Sequence, residues 1–219
     1  MAGFRMTHSL HRSGSRESLK KDFVWLMYQT KGVNDKNIKP KALEYISAAE
    51  ECGCVNFGDV KSGSILEYSV EEIKKHITDK SRLRGVLDSR EKVTKFLRMI
   101  KEKDLGLSLV ISGLLDEVLA ACKEAGVKPH TINFSLGVWG KKELLPPEEI
   151  LSVTTMCGHH MISPGIVKKH VEMVKNRQET AEEAGKALGR LCPCGIFNHI
   201  RAAELIAEMA ASEIKAAQG

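Results

Sequence analysis

Between residues 22 and 140, short apolar runs alternate with stretches whose apolar residues recur every three or four positions. The runs predict β-strands at 23–28, 55–58, 83–87, 107–112 and 131–138, and the periodic stretches predict helices near 40–52, 69–79, 90–104 and 114–125. Such alternation is the pattern of an α/β fold, here a layered domain in which a mainly parallel sheet is expected. A ferredoxin-like α+β sandwich is the competing architecture, because strand order cannot be read from a linear pattern.

The last third of the chain has helical periodicity alone. Residues 140–147, with a lysine pair and Pro146-Pro147, read as a hinge. Ser163-Pro164 has the form of an N-cap followed by proline at the first helical position, and Ile166, Val167, His170, Val171 and Val174 then recur at helical spacing. Thr180 with Glu183 has the capping-box form, ahead of an apolar face of Ala184, Ala187, Leu188 and Leu191. Asn198 is placed to cap a third helix carrying Ile200, Leu205, Ile206 and Met209. The expected organisation is a basic arm over 1–21, an α/β domain over 22–140 and a small all-helical metal- or cluster-binding module over 141–219.

Cys157-Gly158-His159-His160 and Cys192-Pro193-Cys194 flank two of these helices. Two short pairs of soft ligands separated by a segment that folds back on itself are what a compact metal or iron-sulfur centre needs. This stretch resembles the helical 2Fe-2S-binding domain of the xanthine dehydrogenase and carbon monoxide dehydrogenase small-subunit family, with the same 31-residue gap over 161–191. Leu191, Phe197 and Ile200 fall where that family has leucine, an aromatic residue and isoleucine, and the resemblance covers roughly 148–206. It implies a 2Fe-2S cluster held by Cys157, His160, Cys192 and Cys194, with His160 standing where the family has cysteine and His159 as the alternative ligand. Histidine is a known ligand of 2Fe-2S iron in Rieske centres. Zinc in a Cys3His tetrahedron uses the same donors and is the alternative cofactor. The family's upstream ferredoxin-type C-x4-C-x2-C is absent, so its molybdenum hydroxylase role does not follow. Cys52, Cys54 and Cys122 read as packing residues.

Composition narrows the classes. The chain has 219 residues, 42% of them hydrophobic, enough for a substantial core. No run of about 18 apolar residues and no signal-peptide core occurs, so neither membrane insertion nor secretion is supported and the cytoplasm is expected. Six cysteines with four closely paired suit metal chemistry better than a disulfide framework. The net charge of +5 comes almost wholly from Arg5, Arg12, Arg16, Lys20 and Lys21, opposed within 1–21 by Glu17 alone. Without interleaved aromatic residues this does not favour a nucleic-acid partner.

The arm also concentrates His8, His11, Arg12 and Arg16, a composition able to grip phosphate or carboxylate. In open parallel sheets ligands gather at strand C-termini, where Asp59, Lys61, Ser62, Gly63 and Ser64, then Asp88, Ser89 and Arg90, then Ser112 and Gly113 would share a crevice. Three functions follow as expectations. The first is a 2Fe-2S redox or electron-transfer protein with a redox partner protein or a small anionic ligand on its α/β domain. The second is a cluster- or metal-dependent enzyme acting on a small anionic substrate. The third is a zinc-stabilised, non-catalytic binding or assembly protein.

Overall fold

The computed structural model describes residues 11–135 and 137–218. A short helix, α1 (Arg16–Leu19), precedes β1 (Phe23–Tyr28), α2 (Ile38–Glu51), β2 (Asn56–Asp59) and β3 (Gly63–Ser64). Then come α3 (Val70–His76), β4 (Arg84–Leu87), α4 (Arg90–Lys103), β5 (Ser108–Ser112) and α5 (Leu115–Glu124). A long irregular stretch leads to α6 (Glu148–Thr154), α7 (Pro164–Lys175), α8 (Ala181–Arg190) and α9 (His199–Gln218). Among the described residues no helix is long and apolar enough to cross a membrane.

The expectation of a mainly parallel sheet is overturned. Strand order is β3-β2-β4-β1-β5, and every neighbouring pair is antiparallel. β1 and β2 do run in the same direction, joined by α2, but β4 lies between them. β4 and β5 are likewise codirectional, joined by α4, with β1 between. Two interleaved crossovers of this kind give the split β-α-β topology of the ferredoxin-like sandwich. The alternation of strand and helix is identical for adjacent and for split crossovers, which is why the pattern alone favours neither. One consequence is that the C-termini of β2 and of β4 and β5 lie at opposite ends of the sheet. The polar residues after β2 and those after β4 and β5 therefore do not line one crevice. The described residues of the expected strand at 131–138 are exposed, irregular chain outside the sheet.

Alternation along the strands sends side chains to two cores. On one face Phe23, Trp25, Met27, Phe57 and Leu87 pack against Ile38, Ala42, Tyr45 and Ile46 of α2 and Val93, Phe96 and Leu97 of α4. Trp25 anchors this side, 4.9 Å from the Phe96 ring centroid and 6.0 Å from that of Tyr45. Gly85, paired with both Trp25 and Phe57 across the sheet, leaves room for the indole. Cys52 and Cys122 belong to this core and Cys54 packs against it. On the other face Val24 and Val86, joined by Val55, meet Ile150, Val153, Val167, Leu188, Ile196, Phe197 and Ile206 of the helical part. Each such side chain, fully buried, contributes about 1.5–3 kcal/mol of hydrophobic stabilisation. One sheet thus serves as the wall of both cores.

Candidate metal centre

The two cysteine loops are both helix C-terminal turns. α6 ends at Thr154, and the chain tightens through Met156 N–H to Val153 O and Cys157 N–H to Thr154 O. His160 then donates its amide to Cys157 O at 3.1 Å and adopts a left-handed conformation, φ +57°. Ser163 restarts helix α7 by accepting from the Ile166 amide, with Pro164 at the first helical position. The second loop follows α8, whose N-terminus carries a full capping box: Thr180 Oγ1 accepts from Glu183 N, and Glu183 Oε2 accepts from Thr180 N. Cys192 N–H bonds to Gly189 O, and Gly195 N–H closes the turn on Cys192 O at 3.2 Å. Gly195 has φ +79° and lies directly on the β2 backbone, where a Cβ would collide with Gly58 N and the Phe57 carbonyl carbon. Only glycine permits that approach. Asn198 then caps α9, accepting from Arg201 N at 3.0 Å.

These turns bring three sulfurs and one imidazole together. Cys192 Sγ is 3.6 Å from Cys194 Sγ, and Cys194 Sγ is 3.6 Å from His159 Nδ1. Cys157 is buried in the same core cluster as these two cysteines. All three cysteines are buried, whereas His159 and His160 reach the surface. Of the two histidines, His159 is therefore the one set against the thiols. Among the described residues no group of three or more His, Cys, Asp and Glu side chains stands ready-made around a metal position. The pairwise spacings carry the reading instead. In a tetrahedral site with Zn–S near 2.3 Å and Zn–N near 2.0–2.1 Å, sulfurs stand about 3.8 Å apart and sulfur and nitrogen about 3.6 Å apart.

Electrostatics points the same way. Cys192 shares its proton with its neighbours, which pushes its own thiol up and draws Cys157 and Cys194 down. Backbone N–H groups of Met161 and His159 add to the stabilisation of a Cys157 thiolate, and that of Ile196 does so for Cys194, aided by the charges of His159 and Arg84. Both loops nevertheless sit at helix C-termini, whose partial negative charge favours a cation. The remaining cysteines behave differently: burial pushes Cys52 up to about 11 and Cys54 up to about 12. Thiolate character is concentrated in the one cluster.

The basic arm buttresses this site. Arg12 donates to Thr155 O at 3.2 Å and to Ile196 O at 2.8 Å, gripping the loops on both sides of the cluster. Arg201 donates to Asp22 Oδ2 at 2.8 Å, to Ser18 Oγ at 2.8 Å and to Ser13 O at 2.6 Å. Asp22 also lies 3.6 Å from Arg12 Nε, and all three side chains are essentially out of solvent. Of the four residues expected to hold an anion, Arg12 is thus engaged internally, Arg16 pairs with Asp116 and Glu117, His11 is exposed, and His8 lies outside the described residues. The structure directs Arg12 and Arg16 to different partners. Sequence reasoning missed Asp22 and Arg201; their pairing spans 179 residues, and no local pattern marks either one.

No protein-family model, curated protein or solved structure matches the chain.

Proposed function

We propose that the chain is a metal-centre protein in which Cys157, Cys192, Cys194 and His159 hold one soft transition-metal ion, zinc or iron, between the helical part and the sheet. The observation that carries the reading is the spacing of Cys192 Sγ, Cys194 Sγ and His159 Nδ1, two contacts of 3.6 Å matching the edges of one tetrahedron. Four protein donors would close the coordination shell, which is the arrangement of structural and electron-carrying sites, since catalytic sites keep a position open. The ion would supply cross-linking free energy as zinc, or a one-electron couple as iron.

A 2Fe-2S redox centre on the same residues, serving a redox partner, is the second reading, favoured by the 31-residue gap between the two cysteine pairs. The spacing counts against it. Two irons would divide the four donors into pairs separated by sulfide, yet every division of this set leaves a hydrogen-bond-distance contact across the pairs. Metal and acid-labile sulfide analysis of protein purified without oxygen decides the matter. One zinc or iron per chain without sulfide is expected; two irons with two sulfides would establish the binuclear centre, and protein that takes up neither metal would overturn both readings.

A further inference from the structure

Residues 131–138 have the sequence of a strand without its partner. Ile132, Phe134 and Val138 alternate with Thr131, Asn133, Ser135 and Gly137, the period-2 pattern of a half-buried strand. Yet the apolar members face water, Phe134 being 67% exposed. Among the described residues, no amide or carbonyl of 128–135, 137 or 138 is bonded to another described backbone group. The same chain carries a matching surface. β5 is an edge strand, and among the described residues it is bonded only to β1 and no backbone bond reaches its outer side. Val110 on that strand is 42% exposed, and Leu115 and Leu119 of the adjoining α5 are also exposed. An open edge beside apolar side chains is a template for strand addition.

We propose that residues 131–138 of one copy add as an outer strand to β5 of a second copy, and reciprocally, forming a two-fold dimer. Among the described residues no backbone bond joins the segment to the edge within one chain, although α5 and a few residues are all that separate them in sequence. Exchange between two copies engages both surfaces at once, and the two-fold axis uses each segment and each β5 edge once, so the contact closes at two copies. The area is adequate. Phe134 and the adjacent Trp139, 81% exposed, present roughly 300 Å² of ring surface. Ile132, Val138 and Val110, with the strand backbone itself, bring each copy toward the about 800 Å² that one partner contributes to a stable interface.

Sedimentation velocity of the full chain across about 1–100 µM, paired with hydrogen exchange, tests the proposal. A concentration-dependent dimer is expected, with the amides of 131–138 protected only in the dimer. Phe134→Lys in the segment and Val110→Lys on the edge should each weaken association on the order of tenfold or more, with unchanged far-ultraviolet circular dichroism. Asn133→Pro, which leaves the apolar surface intact but removes a backbone donor, should do the same and covers the case of a lysine variant that misfolds. A monomer throughout the range overturns the proposal. So does a dimer that survives all three substitutions, or protection of 131–138 that is independent of concentration, which would mean folding back onto the chain's own β5. Neither readout depends on metal content.

Discussion

Asp22→Asn isolates the contact that ties the arm to the helical part. The carboxylate faces two guanidinium groups, Arg201 at 2.8 Å and Arg12 at 3.6 Å, with side-chain exposures of 0% for Asp22 and Arg201 and 5% for Arg12. The asparagine is nearly isosteric, so it leaves no cavity and removes charge alone. Breaking a buried pair costs about 3–5 kcal/mol, because the partner is left charged and uncompensated. Here the arginines keep other acceptors, Ser18 Oγ and Ser13 O for Arg201, Thr155 O and Ile196 O for Arg12. That retention places the expected loss at the lower end, about 3 kcal/mol. For a chain of this size each kcal/mol lowers Tm by about 2–4 °C, so a fall of roughly 6–12 °C is expected. Urea unfolding followed by circular dichroism is the quantitative assay, with a lower midpoint at constant m-value. Because the pair is out of solvent, the loss should be nearly the same at low and high salt. A change below about 1 kcal/mol, or one that salt abolishes, would mean that the arm is solvated and that the pairing does not hold it down.

Three further outcomes follow from the site and its surroundings. Cys192→Ala and Cys194→Ala should each abolish retention of bound metal, measured by metal analysis after gel filtration, while Cys122→Ala in the other core should leave it unchanged. His159→Ala should weaken metal retention at least as much as it alters anything else, whereas His160→Ala should leave retention intact; the reverse ranking would assign the fourth ligand to His160. Burial holds His199 below the ordinary histidine range, and its Nδ1 has no hydrogen-bond partner. The unfolded chain therefore takes up that proton first, so stability should decline as pH falls below about 6.5, and His199→Gln should flatten that part of the profile in urea titrations across pH.

Local elements were largely legible because their signals are local. The apolar run Phe23–Tyr28 is β1, buried at four of its six positions. The capping box at Thr180, the Ser163-Pro164 start and the Asn198 cap all sit where side-chain chemistry placed them. Cys157, Cys192 and Cys194 were singled out by spacing, and the structure brings them together. What escaped depended on long-range choices. Strand direction is decided by which crossover interleaves with which, and that leaves no mark on either strand. Which of His159 and His160 lies against the thiols is decided by one left-handed residue in a tight turn. By composition Arg12 belongs to an anion-binding arm, and the acceptors that engage it instead, Thr155 O and Ile196 O, lie 143 and 184 residues away. The segment 131–138 carries a valid strand pattern, but alternation specifies a face and not a partner.

The shared sheet has a consequence for the order in which this protein can mature. Among the described residues, the apolar cover of Val24, Val55 and Val86 on that face comes from Ile150 onward. During synthesis the strands and α2 to α5 can therefore assemble their first core while the opposite face still lacks its cover, which arrives only when the chain from Ile150 onward has emerged. The nascent chain presents an apolar wall through that interval, and the segment that finally shields it is the one bearing both cysteine loops. Completion of the hydrophobic architecture and assembly of the thiol cluster are thus one event, timed by the last third of the chain.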